Sequence, residues 1–100
     1  MSVIRPPKIA ELLWSAGLRD EERRAVHDEA YRLMIDGRSL GVGEEEREGG
    51  FTDVFVLDIT GNRYTVTRNS GAYLLLDPAL GVIAVNEHFD DVVEALRSSL

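Results

Sequence analysis

Apolar residues recur at helical spacing in the first third of the chain. One stripe predicts a helix over residues 7–16, since its members stand three or four positions apart: Ile9, Leu12, Leu13 and Ala16. A second stripe predicts a helix over residues 21–36 with Asp20 as its N-cap, and its members are Val26, Ala30, Leu33 and Met34. We expect the two helices to pack against each other as a hairpin.

The hydrophobic period changes to two after residue 50. Alternating apolar and polar positions, separated by short turns rich in Gly, Asn, Asp and Pro, predict four strands over residues 52–59, 63–68, 72–76 and 82–86. A short fifth strand over residues 39–42 is an alternative that the sequence leaves open. Because the turns are short, we expect consecutive strands to pair antiparallel as a meander.

The chain ends in a third helical pattern. Asp90 is the predicted N-cap of a helix over residues 90–99, in which Val93, Leu96 and Leu100 share one face with Val92 beside them. The order of elements predicts one α+β domain over residues 1–100. It combines an N-terminal helical hairpin, an antiparallel sheet of four or five strands, and a C-terminal helix packed on one face of that sheet.

Composition agrees with a single folded domain. A chain of 100 residues, with 44% hydrophobic and 29% charged residues, can build one core. Cysteine is absent, which excludes disulfides and thiol chemistry. The N-terminal region has no secretion-signal pattern, and the apolar runs are too short to span a bilayer. We therefore expect a soluble, cytoplasmic protein.

Negative charge is the most prominent feature of the composition. The chain has a formal net charge of −7, and four of its glutamates stand around one arginine in the segment Gly43-Glu44-Glu45-Glu46-Arg47-Glu48-Gly49-Gly50. We interpret residues 43–50 as a solvated acidic loop. No segment concentrates lysine and arginine, on which binding to phosphate backbones depends. Direct binding to nucleic acid or to an anionic membrane is therefore disfavoured.

An acidic domain of this size is suited to binding basic proteins, because opposite charges steer the encounter. We predict a non-catalytic inhibitor or immunity-type protein that binds a basic nuclease, toxin or nucleic-acid-binding protein. Nucleic-acid mimicry, as in anti-restriction or anti-CRISPR proteins, is one form of this hypothesis. The predicted partner-binding residues are Glu44, Glu45, Glu46, Glu48, Asp53, Asp90 and Asp91. The simpler alternative is that the charge serves only solubility.

Candidate catalytic and metal-binding residues are few. The histidines are His27 and His88, and no serine stands in a nucleophile-elbow pattern. Ser70 with His88 is one nucleophile hypothesis, and His88 with Asp91 offers half of a metal site. His27 is predicted to be a solvent-side helix residue. We predict no catalysis, metal or cofactor. The alternatives are a small enzyme that uses His88 and an oligomeric accessory subunit, such as a homodimer joined at an edge strand.

The final stretch of the chain has one resemblance to a known family. Two predicted strands joined by Asp77-Pro78-Ala79-Leu80-Gly81 and followed by a helix resemble the end of SUKH-type immunity proteins. The resemblance covers less than half of the chain, and no residue role is carried over from it.

Overall fold

Two helices and five strands make up the described part of the protein. The computed structural model describes residues 17–69 and 71–100. Their elements follow in the order α1 (Asp20–Ile35), β1 (Ser39–Arg47), β2 (Phe51–Asp58), β3 (Arg63–Asn69), β4 (Ala72–Leu76), β5 (Val82–Asn86) and α2 (Phe89–Ser99). The predicted helix over residues 7–16, and with it the helical hairpin, lies outside the described residues. The α+β class is confirmed.

The five strands form one antiparallel sheet in the order β1-β2-β3-β4-β5, which confirms the predicted meander. Two of its turns are held by aspartates. Asp58 Oδ1 accepts hydrogen bonds from the backbone N–H groups of Thr60 and Asn62, both at 2.9 Å. Asp77 Oδ1 accepts from the backbone N–H of Gly81 at 2.8 Å. Aspartate favours turns because its short carboxylate reaches these nearby donors.

Both helices contact the sheet on the same face, and the core lies between them and the strands. The largest fully buried side chains are Val26, Leu33, Val54, Val56, Val66, Leu75, Val92 and Leu96. The predicted stripe of α1 is confirmed, although Met34 is half-buried. For α2 the predicted burial of Leu96 is confirmed, but Val92, expected beside the buried face, is fully buried, whereas Val93 is half-buried.

The acidic segment is largely a strand, so the predicted loop over residues 43–50 was wrong. β1 runs through the three consecutive glutamates to Arg47, and its register pairs Glu45 with Asp53. The turn occupies only residues 48–50, where two glycines have positive φ. Glutamate has a low preference for strands, but pairing along the length of β2 outweighs it. The alternative strand over residues 39–42 was therefore too short.

Both helices begin one residue earlier than predicted. Arg19, rather than Asp20, is the N-cap of α1, and its backbone N–H donates to the Glu22 carboxylate at 2.8 Å. That bond is half of a capping box, which fixes where the first turn starts. His88, rather than Asp90, is the N-cap of α2. The aspartates instead lie in the first helical turns, where they complement the helix dipole.

Candidate functional site

β1 is one edge of the sheet. It pairs with β2 on one side, and no other described strand pairs with it. An edge strand presents backbone N–H and C=O groups that are free to pair with another chain. The two halves of β1 differ, because Gly41 and Gly43 lie in the first half and the glutamates in the second. We call this strand together with Glu48 the acidic edge.

An aromatic ring covers the backbone of β1 at Gly43. A Cβ atom at this position would lie 2.5 Å from Cζ of Phe55, so only glycine leaves the ring its space. The guanidinium carbon of Arg63 lies 3.8 Å from the centroid of the same ring, within cation–π range. Arg63 also forms an ion pair with Glu45, with 3.5 Å between Nη1 and Oε1. Glu45 is therefore partly neutralised.

A polar groove of about 290 Å³ separates α1 from the acidic edge and is lined by Asp20, Arg23, Arg24, His27 and Glu44. His27 Nε2 lies 2.9 Å from Glu44 Oε2, and Arg23 Nε lies 3.9 Å from the same oxygen. Arg23 also forms an ion pair with Asp20. Glu44 is thus tied to the helix. His27, predicted to be a solvent-side residue, is half-buried and contacts the edge strand.

The seven predicted partner-binding carboxylates do not form one cluster. Asp53 is buried, with its Oδ2 lying 3.3 Å from Arg47 Nε. Glu46 and Glu48 are exposed, and neither forms an ion pair with a described residue.

Asp90 and Asp91 open α2, which follows the opposite edge of the sheet. Four strand spacings, roughly 19 Å at ~4.8 Å each, separate the two edges. Only the glutamates therefore share one edge of the sheet, with Glu45 on the face opposite to Glu44 and Glu46. The two aspartates belong to a different part of the surface.

His88, the candidate for catalysis, is exposed at the start of α2. Its backbone N–H donates to Asn86 Oδ1 at 2.8 Å, and its ring makes no hydrogen bond with any residue among 17–69 and 71–100. The hypothesis that pairs it with Ser70 lies outside the described residues. Within those ranges no group of three or more His, Asp or Glu side chains is arranged to hold a metal ion. The helices there are too short or too polar to cross a membrane.

Parts of this site were missed in the sequence. His27 and Glu44 are 17 positions apart, so local periodicity does not relate them. The Phe55–Arg63 stack likewise depends on the register between β2 and β3. One signal was available, since adjacent glycines at 49–50 favour a hairpin turn and thereby a strand on each side.

Comparisons with known proteins give no relative for this chain. No protein-family model matches it, and no curated protein or solved structure does so either. The resemblance of the final stretch to SUKH-type immunity proteins has no support from these comparisons. A functional proposal therefore depends on the chemistry of the surface.

Proposed function

We propose that this chain is a non-catalytic protein-binding domain whose acidic edge receives a basic, extended segment of a partner protein. The observation that carries the proposal is a nine-residue edge strand with three consecutive exposed glutamates. An added strand gains affinity from backbone hydrogen bonds, and side-chain contacts give it specificity. Carboxylates at this edge favour lysine and arginine in the incoming segment.

The two glycines support strand addition at the first half of β1, because neither carries a side chain. The place where a side chain of Gly41 would start has no atom within 4 Å, although the Gly41 N–H donates to Ser39 Oγ and its carbonyl accepts from that hydroxyl, both at 3.2 Å. Gly43 is covered by Phe55 on one face of the sheet, but it too presents no side chain of its own. Close approach of two backbones commonly depends on glycine.

Charge supports selection of a basic segment at the second half of the acidic edge. Glu46 and Glu48 are exposed, so their carboxylates are accessible to a partner. Glu45 pairs with Arg63 at the surface, and exposed pairs contribute at most about 1 kcal/mol. A lysine or arginine of the partner can therefore replace Arg63 at little cost. Glu44 is bound by α1 and contributes least.

An inhibitory or immunity-type role against a nuclease, toxin or other nucleic-acid-binding protein is part of the proposal. The net charge of −7 supports it, since such targets carry basic surfaces. Duplex mimicry has weaker support, because Glu44, Glu45 and Asp53 each have an arginine neighbour. Recognition of a basic extended segment is the form of the hypothesis that we favour.

The test uses a fluorescently labelled peptide of alternating lysine and threonine and an acidic peptide of alternating glutamate and threonine. We expect the full chain to bind the basic peptide only, to bind it less tightly as salt rises, and to shift the amide NMR signals of β1. Reversing the charge at both Glu46 and Glu48 to lysine should weaken binding roughly tenfold.

The matched control reverses Asp90 and Asp91 to lysine, which changes the net charge by the same amount at the opposite edge. We expect this control to retain most of the affinity. Equal losses in both double variants would assign the binding to net charge and contradict a role for the acidic edge. Amide NMR shifts confined to residues outside β1 would also contradict a role for the acidic edge.

A further inference from the structure

β5 is the second edge of the sheet, and its chemistry is the reverse of that of β1. It pairs with β4, and no other described strand pairs with it. None of the residues Val82–Asn86 is charged, although the chain as a whole carries −7. Val82 and Val85 are 56% and 58% exposed, and Ile83 is 43% exposed. Apolar side chains therefore accompany the free backbone groups of this edge.

The turn before β5 adds a leucine in an unfavourable conformation. Leu80 has φ +67°, in the left-handed region, and its side chain is 70% exposed. An L-residue with a Cβ atom loses about 1–2 kcal/mol there, and glycine or asparagine is usual. Because Leu80 is not part of the core, its side chain contributes little to the stability of the fold. The turn holds this conformation through the hydrogen bond from the Leu80 N–H to the Asp77 carbonyl at 2.8 Å, and it leaves the exposed side chain open to a contact outside the chain.

We propose that Leu80, Val82, Ile83 and Val85, here called the β5 patch, bind a second copy of this chain. The two β5 strands pair antiparallel about a two-fold axis at Val85, which sets this residue opposite Val85 of the partner subunit. This axis lies within the regular part of the strand, since Ala84, Val85 and Asn86 pair with β4 in register and Ile83 is the extra residue at the register shift. The result is a continuous sheet of ten strands.

The absence of charged side chains on β5 favours a second copy of this chain as the partner at this edge. An isologous pairing places each strand against itself, and β5 then brings no charged side chains opposite each other. The same pairing at β1 would set glutamates close to glutamates, which destabilises a sheet. A basic partner gains nothing from an uncharged strand. Self-association is thus favoured at this edge alone among those of the sheet.

The size of the β5 patch determines the expected affinity of the dimer. Stable dimers bury roughly 800 Å² on each partner, and a strand of five residues covers less. We expect a reversible dimer with a dissociation constant in the micromolar range. Association should therefore depend on concentration, and the monomer should remain folded when dilute.

Sedimentation velocity of the full chain between roughly 5 and 500 µM, the range of a weak interface, tests the proposal. The expected result is a shift from monomer to dimer within this range. Val85→Lys should raise the dissociation constant at least about tenfold. Ile35→Lys is the matched control, since it adds the same charge and removes an apolar residue that is 85% exposed on α1.

A wild-type chain that stays monomeric up to the highest concentration overturns the proposal. Equal weakening by the two lysine variants also overturns it, because the association would then follow general charge or apolar content. Circular dichroism checks that both variants fold. This experiment addresses β5 and the peptide experiment addresses β1, so either proposal can fail while the other holds.

Discussion

The guanidinium of Arg97 donates two hydrogen bonds to the carboxylate of Glu29, from Nε at 3.0 Å and from Nη2 at 2.8 Å. The pair joins α2 to α1 across 68 positions of sequence, and the Glu29 side chain is buried. These bonds from Arg97 hold the pKa of Glu29 below its ordinary value of 4.5, although burial acts to raise it. The contact fixes the two helices over their face of the sheet.

Glu29→Gln keeps the shape of this side chain and removes its charge. We expect the free energy of unfolding to fall by about 1.5–2 kcal/mol, the lower end of the range for a hydrogen bond to a charged group, because Arg97 is half-exposed. Because the folded pKa is lowered, the contribution of Glu29 is complete above pH 4.5 and is lost as the pH falls through the folded pKa. Urea unfolding at several pH values measures the gap between wild type and variant. A gap that stays constant well below pH 4.5 would contradict the prediction.

Gly43→Ala should lower the free energy of unfolding by about 1–3 kcal/mol, the usual cost of overpacking. The added methyl group meets the Phe55 ring, which Arg63 holds in place. Gly41→Ala is the control, because its new Cβ meets no atom within 4 Å. We expect that change to be neutral or to stabilise by up to about 1 kcal/mol. Equal effects of the two alanines in chemical denaturation would disprove the steric explanation.

Thr67→Val tests an unpaired hydroxyl. Thr67 is 5% exposed, and its Oγ1 has no hydrogen-bond partner in the described chain. Replacing it with a methyl group should leave the free energy of unfolding unchanged or raise it by up to about 1 kcal/mol. Ser39→Ala is the contrast, since Ser39 Oγ donates to the Leu57 carbonyl at 2.6 Å. We expect that variant to lose about 1 kcal/mol. Destabilisation by Thr67→Val would mean that its hydroxyl is bonded.

Leu80→Gly should stabilise the dilute monomer by about 1 kcal/mol, because glycine adopts the left-handed conformation without steric strain. The same change should weaken the dimer, since it removes an apolar side chain from the β5 patch. Ala79→Gly is the control: its φ is not positive, so we expect a loss of about 0.5–1 kcal/mol. Thermal unfolding of dilute protein and sedimentation of concentrated protein separate the two effects. If the variant is more stable but dimerises as well as wild type, Leu80 is not part of the interface.

Local sequence patterns were sufficient for most of the described fold. The predicted strands over residues 63–68, 72–76 and 82–86 match β3, β4 and β5 within one residue, because aspartate and glycine mark their turns. The meander follows from the shortness of those turns. β1 was missed in its acidic half, because strand formation there depends on pairing with β2 and glutamate itself disfavours it.

The candidate site was less accessible to sequence reasoning. The number of carboxylates in the sequence pointed to the segment around Glu46. It did not indicate which of these carboxylates have a cationic side chain beside them. Burial of Asp53 and the pairing of Glu44 with His27 both arise from tertiary contacts. The separation of Asp90 from the glutamates depends on the order of strands in the sheet. Charge can be counted along a chain, whereas its compensation is a property of the fold.

The placement of β1 and β5 at opposite ends of the sheet has a consequence for avidity. Two copies joined at β5 would carry their β1 strands at the outer ends of ten strands, roughly 43 Å apart at ~4.8 Å per spacing. Such a dimer is bivalent. It would hold a target that repeats its basic segment much more tightly than one edge does alone, provided that the repeats can span this distance.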